Sequence, residues 1–399
     1  MKILVAMSGG VDSSVAAKLL CDAGNLCIGC TMKLYDNADA GIDRAHTCCS
    51  LDDVEDARSV AHRLGMDYFV FNFSDDFREK VIDKFVASYL SGRTPNPCID
   101  CNRYMKFDKL FDRADVLGCD KIGTGHYARI DFANGKYRLK KALDETKDQS
   151  YVLYAMTQKQ LSRTLFPLGN LAKSETRRIA DAAGFVNADK PDSQDICFVP
   201  DGDYAKIIEL HMGHPAAPGN FIDPTGKVLG KHAGIIRYTV GQHRGLGIDT
   251  PGKRYVCAVN AADNTVTLGE AGDLMRREAV VNDFNWIAGE APASPIRCKA
   301  KLRYRQVEQP AVVTPRADGS VQILFDEPQR AVTPGQAAVL YDGEVVLGGG
   351  TVVLVCRMIC TPASGNSNQA FPPGEVWYGT RRVPNEFPSR ETSRAPDEG

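Results

Sequence analysis

The sequence predicts an α/β chain: a parallel-sheet domain, then a small β-rich central module, then a C-terminal antiparallel β-barrel. Three observations carry this. Over roughly the first 130 residues, short apolar runs alternate with amphipathic stretches of helical period, the rhythm of βαβ units whose parallel sheet is covered on both faces. After about residue 205 the texture shifts to Gly, Pro and short alternating runs such as GKVLGKHAG and KRYVCAVNAADNTVTLGE, which read as small strands. From about residue 275, IRCKAKLRYRQ, GSVQILFDEP and QAAVLYDGEVVLGGG alternate like strands of an antiparallel barrel. The expected divisions are 1–204, 205–272 and 273–355, followed by a polar, Pro-rich, mostly disordered tail over 356–399.

The first strand, KILVAM (2–7), is apolar and rich in branched residues. It runs directly into Ser8-Gly9-Gly10-Val11-Asp12-Ser13-Ser14, and VAAKLL continues as helix. Strand, Gly-rich turn and helix in this order gather backbone N–H groups and a positive helix end at one point, which suits a phosphate. Gly9 and Gly10 permit the close approach and unusual φ of such a turn. Ser8, Ser13 and Ser14 add hydroxyls, and Asp12 could orient a Mg²⁺ carried by phosphates. The loop lacks the Gly-Lys-Ser/Thr ending of a Walker A motif. A capped βα turn without a ligand is the plain alternative.

LCIGCTMKLY (26–35) reads as a buried strand. SLDDVEDARSVAHRLG follows as a helix, capped by Ser50 and closed by Gly65. DYFVFNF is the next strand, and DDFREKVIDKFVASYL and NRYMKFDKLFDRADVLG are helices. CDKIGTGHYA is a strand and turn. RIDFANGKYRLKK holds Asn134-Gly135 between alternating runs, a two-residue hairpin signal. KSETRRIADAAGF reads as a helix ending at Gly184.

Of the 399 residues, 43% are hydrophobic and 25% charged, the balance of a globular protein with room for two or three domains. No run of about 18 apolar residues occurs, which speaks against a membrane span, and the N-terminus lacks the apolar core of a signal peptide. A cytoplasmic protein is expected. The formal net charge of −2 means that a nucleic acid would be held by a local basic patch. The 13 cysteines, reduced in a cytoplasm, point to catalysis, sulfur handling or metal before disulfides.

Two cysteine motifs stand out. Thr94-Pro95-Asn96-Pro97-Cys98-Ile99-Asp100-Cys101-Asn102 forms a stiff loop between helices, with Cys101 just before a helix start, where thiolate is favoured. The bland reading is a rigid surface turn. In Asp192-Ser193-Gln194-Asp195-Ile196-Cys197-Phe198, a Cys between Ile and Phe taken alone reads as core. A third feature is Lys299-Ala300-Lys301-Leu302-Arg303-Tyr304-Arg305. On a strand its four cations share one face, a row that repels itself unless a polyanion such as phosphate backbone lies across it. A solvated barrel edge protected by charge is the competing account.

SGGVDSS after an N-terminal strand resembles the PP-loop of the ATP pyrophosphatases, the adenine nucleotide α-hydrolase-like enzymes that cleave ATP between the α and β phosphates. With the two cysteine motifs, GTGHYAR (123–129) and KDQSYVL (147–153) in order, the chain resembles the tRNA 2-thiouridylases (MnmA/TrmU family) over residues 1 to about 350. That resemblance implies ATP-dependent thiolation of the wobble uridine of tRNA: the uracil C2 oxygen is adenylated and sulfur then displaces AMP. It implies Cys197 as persulfide carrier, charged by an upstream persulfide donor (a cysteine desulfurase or sulfur relay protein). Cys101 is then the second catalytic cysteine, a nucleophile able to close a disulfide with Cys197 or to assist acid/base steps. ATP, with Mg²⁺, would contact Ala6, Met7, Ser8, Gly9, Gly10, Val11, Asp12, Ser13, Met32 and Gly125. Met32 reads equally as core. Asn96 and Pro97 would border the extruded base. His126, Lys147, Asp148, Gln149, Arg303, Tyr304 and Gln336 would contact tRNA, although Lys147 and Gln149 also suit a solvated turn.

Some thiouridylases have Asp in place of Cys98. Three thiolates, Cys98, Cys101 and Cys197, would also suit an iron–sulfur cluster with one open iron; Cys48, Cys49, Cys356 and Cys360 stay unassigned. Two rivals remain: another PP-loop adenylating enzyme with a different acceptor, and a tRNA-binding protein with a decayed site, against which the intact SGGVDSS and both cysteines argue.

Overall fold

A computed structural model describes residues 1–36, 51–192, 196–249, 252–356, and the pairs 377–378 and 381–382. Strand β1 (Lys2–Ala6) forms the middle of a sheet because Ile3, Leu4 and Val5 are wholly buried, as a strand covered on both faces must be. It pairs in parallel with β2 (Leu26–Lys33) on one side and β4 (Lys121–Gly123) on the other, and β3 (Asp67–Asn72) extends the sheet beyond β2. The chain then leaves the sheet as a hairpin, β5 (Ala128–Ala133) and β6 (Lys136–Lys141). Asn134 and Gly135 both have positive φ, the geometry the Asn-Gly pair predicts. A short β7 (Thr164–Leu165) completes the parallel order β3-β2-β1-β4-β7. Consecutive strands leave β1 in opposite directions, so a crevice opens at the carboxyl ends of β1 and β4.

Helix α1 (Val11–Asp22) lies tightly on the sheet through Val15, Ala16 and Ala17. α2 (Leu51–Arg63) precedes β3, and Gly65 closes it with φ +68; its expected cap, Ser50, lies outside the described residues. The stretch predicted as one helix after β3 is wound in three pieces: α3 (Ser74–Phe77), a π turn Arg78–Ile82, and α4 (Asp83–Leu90). The next is likewise divided into α5 (Pro97–Asp100), a π-wound Cys101–Lys109 and α6 (Leu110–Val116). A capping box at Thr157 starts α7 (Gln158–Ser162). α8 (Lys173–Ala182) ends as predicted, with Gly184 at φ +63, and α9 (Tyr204–Met212) begins on an Asp203 cap.

The central module is a four-stranded sheet of β8 (Gly219–Ile222), β9 (Val228–His232), β10 (Tyr255–Asn260) and β11 (Thr265–Gly269), in the order β10-β11-β8-β9. Phe221, Val256, Val266 and Leu268 form its core. Six strands then close an antiparallel barrel: β12 (Met275–Trp286), β13 (Ile296–Lys301), β14 (Gln309–Pro315), β15 (Val321–Arg330), β16 (Ala337–Asp342) and β17 (Val345–Cys356). β17 pairs back onto β12. The barrel and the first domain share a core: Tyr151 and Tyr154 pack with Ile287, Ala337, Val339, Tyr341 and Val346. The β5–β6 hairpin leans on β17 through Lys140 and Val345. In the separate unit after residue 358, Trp377–Tyr378 pairs with Arg381–Arg382; the rest of the tail predicted as disordered lies outside the described residues.

Candidate active site

The phosphate loop is built by close contacts. Gly9 has φ +76, and a Cβ there would stand 2.3 Å from the Asp53 carbonyl oxygen, so no side chain fits. No side chain caps α1, which leaves its leading N–H groups for a ligand. Ser13 Oγ accepts from the Ser8 N–H at 3.1 Å and donates to the Gly10 carbonyl at 2.9 Å. Ser13 is buried and Ser8 exposed, so Ser13 shapes the loop while Ser8 faces the cleft. Gly125 packs against the same helix start; a Cβ there would lie 2.8 Å from Asp12 C and Ser13 N. Ala6 and Met32 pack at the edge of one sheet core, and Met7 is buried in a second cluster with Ile3, Val5 and Val11.

Asp12 accepts from the Tyr127 hydroxyl at 2.9 Å and from Lys173 Nζ at 2.6 Å. Lys173 also reaches Asp192 at 2.7 Å, and Asp192 further binds Lys147 at 2.8 Å and Arg177 at 3.2 Å. Burial alone would raise the Asp192 pKa, but hydrogen bonds from Lys147 and Lys173 outweigh it and hold the carboxyl below its usual range. Asp148 accepts from the Ala142 N–H and from Ser150, and Gln149 exchanges two hydrogen bonds with the Tyr127 backbone. These two residues fold the loop that presents Lys147.

His126, expected at the RNA, is 6% exposed. Its Nδ1 lies 2.7 Å from Thr124 Oγ1 and its Nε2 3.4 Å from Lys106 Nζ. Burial, then the Lys106 charge, push its pKa well below the ordinary histidine range. It is a neutral ring in the packing behind the cleft.

The cysteine loop corrects one expectation. Pro97 takes the first helical position and Asn96 Oδ1 accepts from the Cys98 N–H at 3.2 Å. The helix therefore starts at Pro97, and it is Cys98, not Cys101, that occupies the first turn. Cys98 is exposed, whereas Cys101 and Cys197 are half-buried. Cys101 and Cys197 converge on one apolar cluster formed by Leu34, Tyr35, Phe77, Met105 and Phe198, which Met32 also borders. The Tyr35 hydroxyl donates to the Cys197 carbonyl at 2.5 Å. Among the described residues no group of three His, Cys, Asp or Glu side chains stands close enough to hold a metal ion. The three-thiolate grouping of Cys98, Cys101 and Cys197, the alternative to a persulfide, is not among such groups.

The barrel supplies the opposite wall. A cleft of roughly 870 Å³ is lined by Ser8, Gly10 and Asp12 on one side and by Lys299, Lys301, Tyr304 and Arg305 on the other. Strand β13 ends at Lys301, so the four cations do not share one strand face. The chain turns, and Arg303 Nη2 donates to the carbonyls of Val240 and Ala331 and to Thr333 Oγ1, fastening the barrel to the central module. Tyr304 donates to the Asp148 carbonyl at 3.1 Å. Its pKa is raised by burial, then by the charges of Asp148 and Cys98. Gln336 donates to the Thr94 carbonyl at 2.8 Å.

Lys173, Asn187, whose Nδ2 donates to the Gly9 carbonyl at 2.8 Å, and Lys190, which pairs with Asp53 at 2.6 Å, carry much of this architecture without a sequence signal, whereas Tyr127 lies within GTGHYAR. Lys173 opens an ordinary amphipathic helix, and Asn187 sits in a segment without periodicity. Asp192, the partner of Lys173, stands at the head of the Cys197 motif.

Residues 1–201 match the tRNA methyl transferase HUP domain, 208–270 the tRNA methyl transferase PRC-barrel domain, and 276–352 the aminomethyltransferase beta-barrel domain. The fold and loop therefore define a HUP-domain protein of tRNA-modifying type. The tRNA-specific 2-thiouridylase MnmA of Acetivibrio thermocellus is 49% identical over 354 residues, 88% of this chain and 99% of that protein. The one from Clostridioides difficile is 46% identical over 353 residues, 88% and 98% of the two chains. The chain belongs to the tRNA-specific 2-thiouridylase (MnmA) family. A 4-thiouridine synthetase in an RNA complex with bound ATP is 18% identical with a TM-score of 0.33, over 50% of this chain and 45% of that one. No helix among the described residues is long and apolar enough to cross a membrane.

Proposed function

We propose that this protein is an ATP-dependent sulfurtransferase that converts the wobble uridine of tRNA to 2-thiouridine. The observation that carries the reading is the convergence of Cys101 and Cys197, from motifs far apart in sequence, on the apolar cluster that Met32 borders. The names of the two MnmA relatives support it.

In this mechanism ATP lies with its phosphates at the start of α1, among Ser8 to Ser13. The uracil O2 attacks the α-phosphorus and pyrophosphate departs, leaving a C2–O–AMP bond whose oxygen now leaves as AMP. Mg²⁺ would ride on the phosphates, since Asp12 is committed to Lys173 and Tyr127. Cys197 receives sulfur as a persulfide from an upstream donor. Attack by the Cys101 thiolate on the Cys197 sulfur closes a Cys101–Cys197 disulfide and frees hydrosulfide, which adds to C2 and expels AMP. A thiol reductant resets the disulfide. Asn96 and Pro97 border the extruded base, and Lys299, Lys301, Tyr304 and Arg305 face its backbone. A tRNA substrate and thiol chemistry suit the cytoplasm.

The test combines purified protein, tRNA, ATP and a persulfide donor. Cys197→Ala should yield no 2-thiouridine while tRNA-dependent release of pyrophosphate persists. Undiminished thiolation by Cys197→Ala would sink the mechanism, and turnover of ATP without tRNA would favour another acceptor.

A further inference from the structure

Basic side chains of the central module and the barrel gather around one ring, that of Tyr255, which opens β10. Lys253 Nζ lies 5.4 Å from the ring centre, and Cζ of Arg330, the last residue of β15, lies 5.0 Å from it. The His243 ring is 5.5 Å away, and Arg244 follows it in the chain. His243, Arg244, Lys253 and Arg330 are all exposed. Within the described residues no carboxylate pairs with Arg244, Lys253 or Arg330; beside them Arg254 reaches Glu270 at 3.5 Å. Partial burial, then the charges of Lys253, Arg244 and Arg330, hold the His243 pKa below its ordinary value.

The patch is a fixed piece of the fold. The Gly241 N–H donates to the Val256 carbonyl at 2.8 Å, and the Val256 N–H to the Gln242 carbonyl at 2.9 Å. These bonds tie the segment bearing His243 and Arg244 to β10. Ala331 has φ +55, an uncommon left-handed conformation for a residue with a Cβ. Its N–H donates to the Leu274 carbonyl at 2.9 Å and its carbonyl accepts from Arg303 at 2.6 Å. A Cβ on Gly241 would stand 2.9 Å from the Ala331 Cβ. This held bend ends β15 with Arg330 turned outward beside Tyr255. Arg303 also joins the patch to the cleft, since Arg305, two residues on, lines the cleft wall.

Like charges held together are costly unless a polyanion lies across them. Lys253 and Arg330 crowd the Tyr255 ring, which is itself half-buried, so the ring is no open platform for stacking an unpaired base. What the surface offers is ammonium and guanidinium groups, which hold phosphate and carry no base identity. We propose that His243, Arg244, Lys253 and Arg330 form a second RNA-docking surface. It takes the phosphate backbone of a helical part of the tRNA while the anticodon loop lies in the cleft. The proposal rests on the tRNA reading given above and extends it: part of the affinity comes from outside the catalytic cleft, so whole tRNA binds better than its loop alone.

The experiment uses the full chain, an unmodified tRNA transcript with a wobble uridine, and a single-stranded oligonucleotide of its anticodon loop. In the double variant Lys253→Gln/Arg330→Gln, tRNA affinity at fixed salt should fall roughly tenfold. The slope of log Kd against log salt should flatten by about two units, one per lost phosphate contact. Binding of the oligonucleotide should stay unchanged, and thiolation should keep its kcat while KM for tRNA rises. Lys253→Arg/Arg330→Lys keeps both charges and should retain the wild-type slope. Arg244→Gln decides the matter if the double variant does not fold, because the Arg244 side chain makes no hydrogen bond or ion pair among the described residues; it should lose about one unit of slope. A folded variant with wild-type tRNA affinity and slope overturns the surface and leaves the proposed function intact. So does an equal weakening of the oligonucleotide. Normal tRNA binding with slower uptake of persulfide sulfur would assign the patch to a protein partner and overturn the RNA proposal. A wild type that binds no tRNA overturns both readings.

Discussion

Gln336 of the barrel donates its side-chain amide to the carbonyl of Thr94, at 2.8 Å. The Thr94 N–H in turn donates to the Pro334 carbonyl at 2.9 Å, and a Cβ on Gly335 would stand 2.8 Å from Thr94 N. The loop bearing Cys98 and Cys101 is thus pinned from outside its own domain. Gln336→Ala removes one neutral hydrogen bond and should cost about 1 kcal/mol of stability. It should also loosen the cysteine loop, so limited proteolysis near residues 92–96 should quicken; an unaltered cleavage pattern would show that the Pro334 contact suffices.

Gly125→Ala drives a methyl group into the backbone of Asp12 and Ser13, which cannot yield without moving the phosphate loop. ATP affinity should fall about tenfold or more, the equivalent of a backbone shift costing about 1.4 kcal/mol. Gly272→Ala is the matched control, because nothing lies within 4 Å of its added Cβ. Calorimetric titration of both variants checks the difference.

The barrel cations divide by role. Lys299, Lys301 and Arg305 line the cleft, and replacing each by Ala should flatten the salt dependence of tRNA binding by about one unit of slope per lost phosphate contact. Arg303 is instead spent on Val240, Ala331 and Thr333. Arg303→Ala should lower stability by about 2 kcal/mol with little change in slope. Equal slopes for Lys301→Ala and Arg303→Ala would contradict this division.

His126 gives stability a pH dependence. It is neutral when folded, because burial and then Lys106 depress its pKa, whereas an unfolded histidine protonates near about pH 6.5. As pH falls below that value the unfolded chain binds the extra proton and stability drops, until the folded ring also titrates. His126→Phe should remove part of this slope between about pH 5 and 7, read as the shift of the urea midpoint against wild type.

Much of this was legible in the residues. The Gly-rich turn after KILVAM, the Asn134-Gly135 hairpin and the Gly184 helix end are local signals, and local signals survive into the fold. The shift to short strands likewise marked the two β modules. The cationic row misled because alternation alone does not reveal where a strand stops; Arg303 found three acceptors on neighbouring elements, and the chain turned. Cys101 misled for a similar reason, since Pro97 could start the helix earlier than the motif suggested. Lys173, Asn187 and Lys190 act across long sequence separations, and no pattern along the chain encodes which distant carboxylate or carbonyl each will meet.

Tyr151 and Tyr154 are buried among side chains that the ribosome supplies only when it reaches Ile287 through Val346, and the outer edge of the β5–β6 hairpin waits for Val345. The phosphate-binding half is therefore synthesised well before the floor it stands on. A nascent chain halted before β17 would carry an apolar wall and an open strand edge, both prone to aggregate. Until the barrel is made, the first half lacks the side chains that bury Tyr151 and Tyr154.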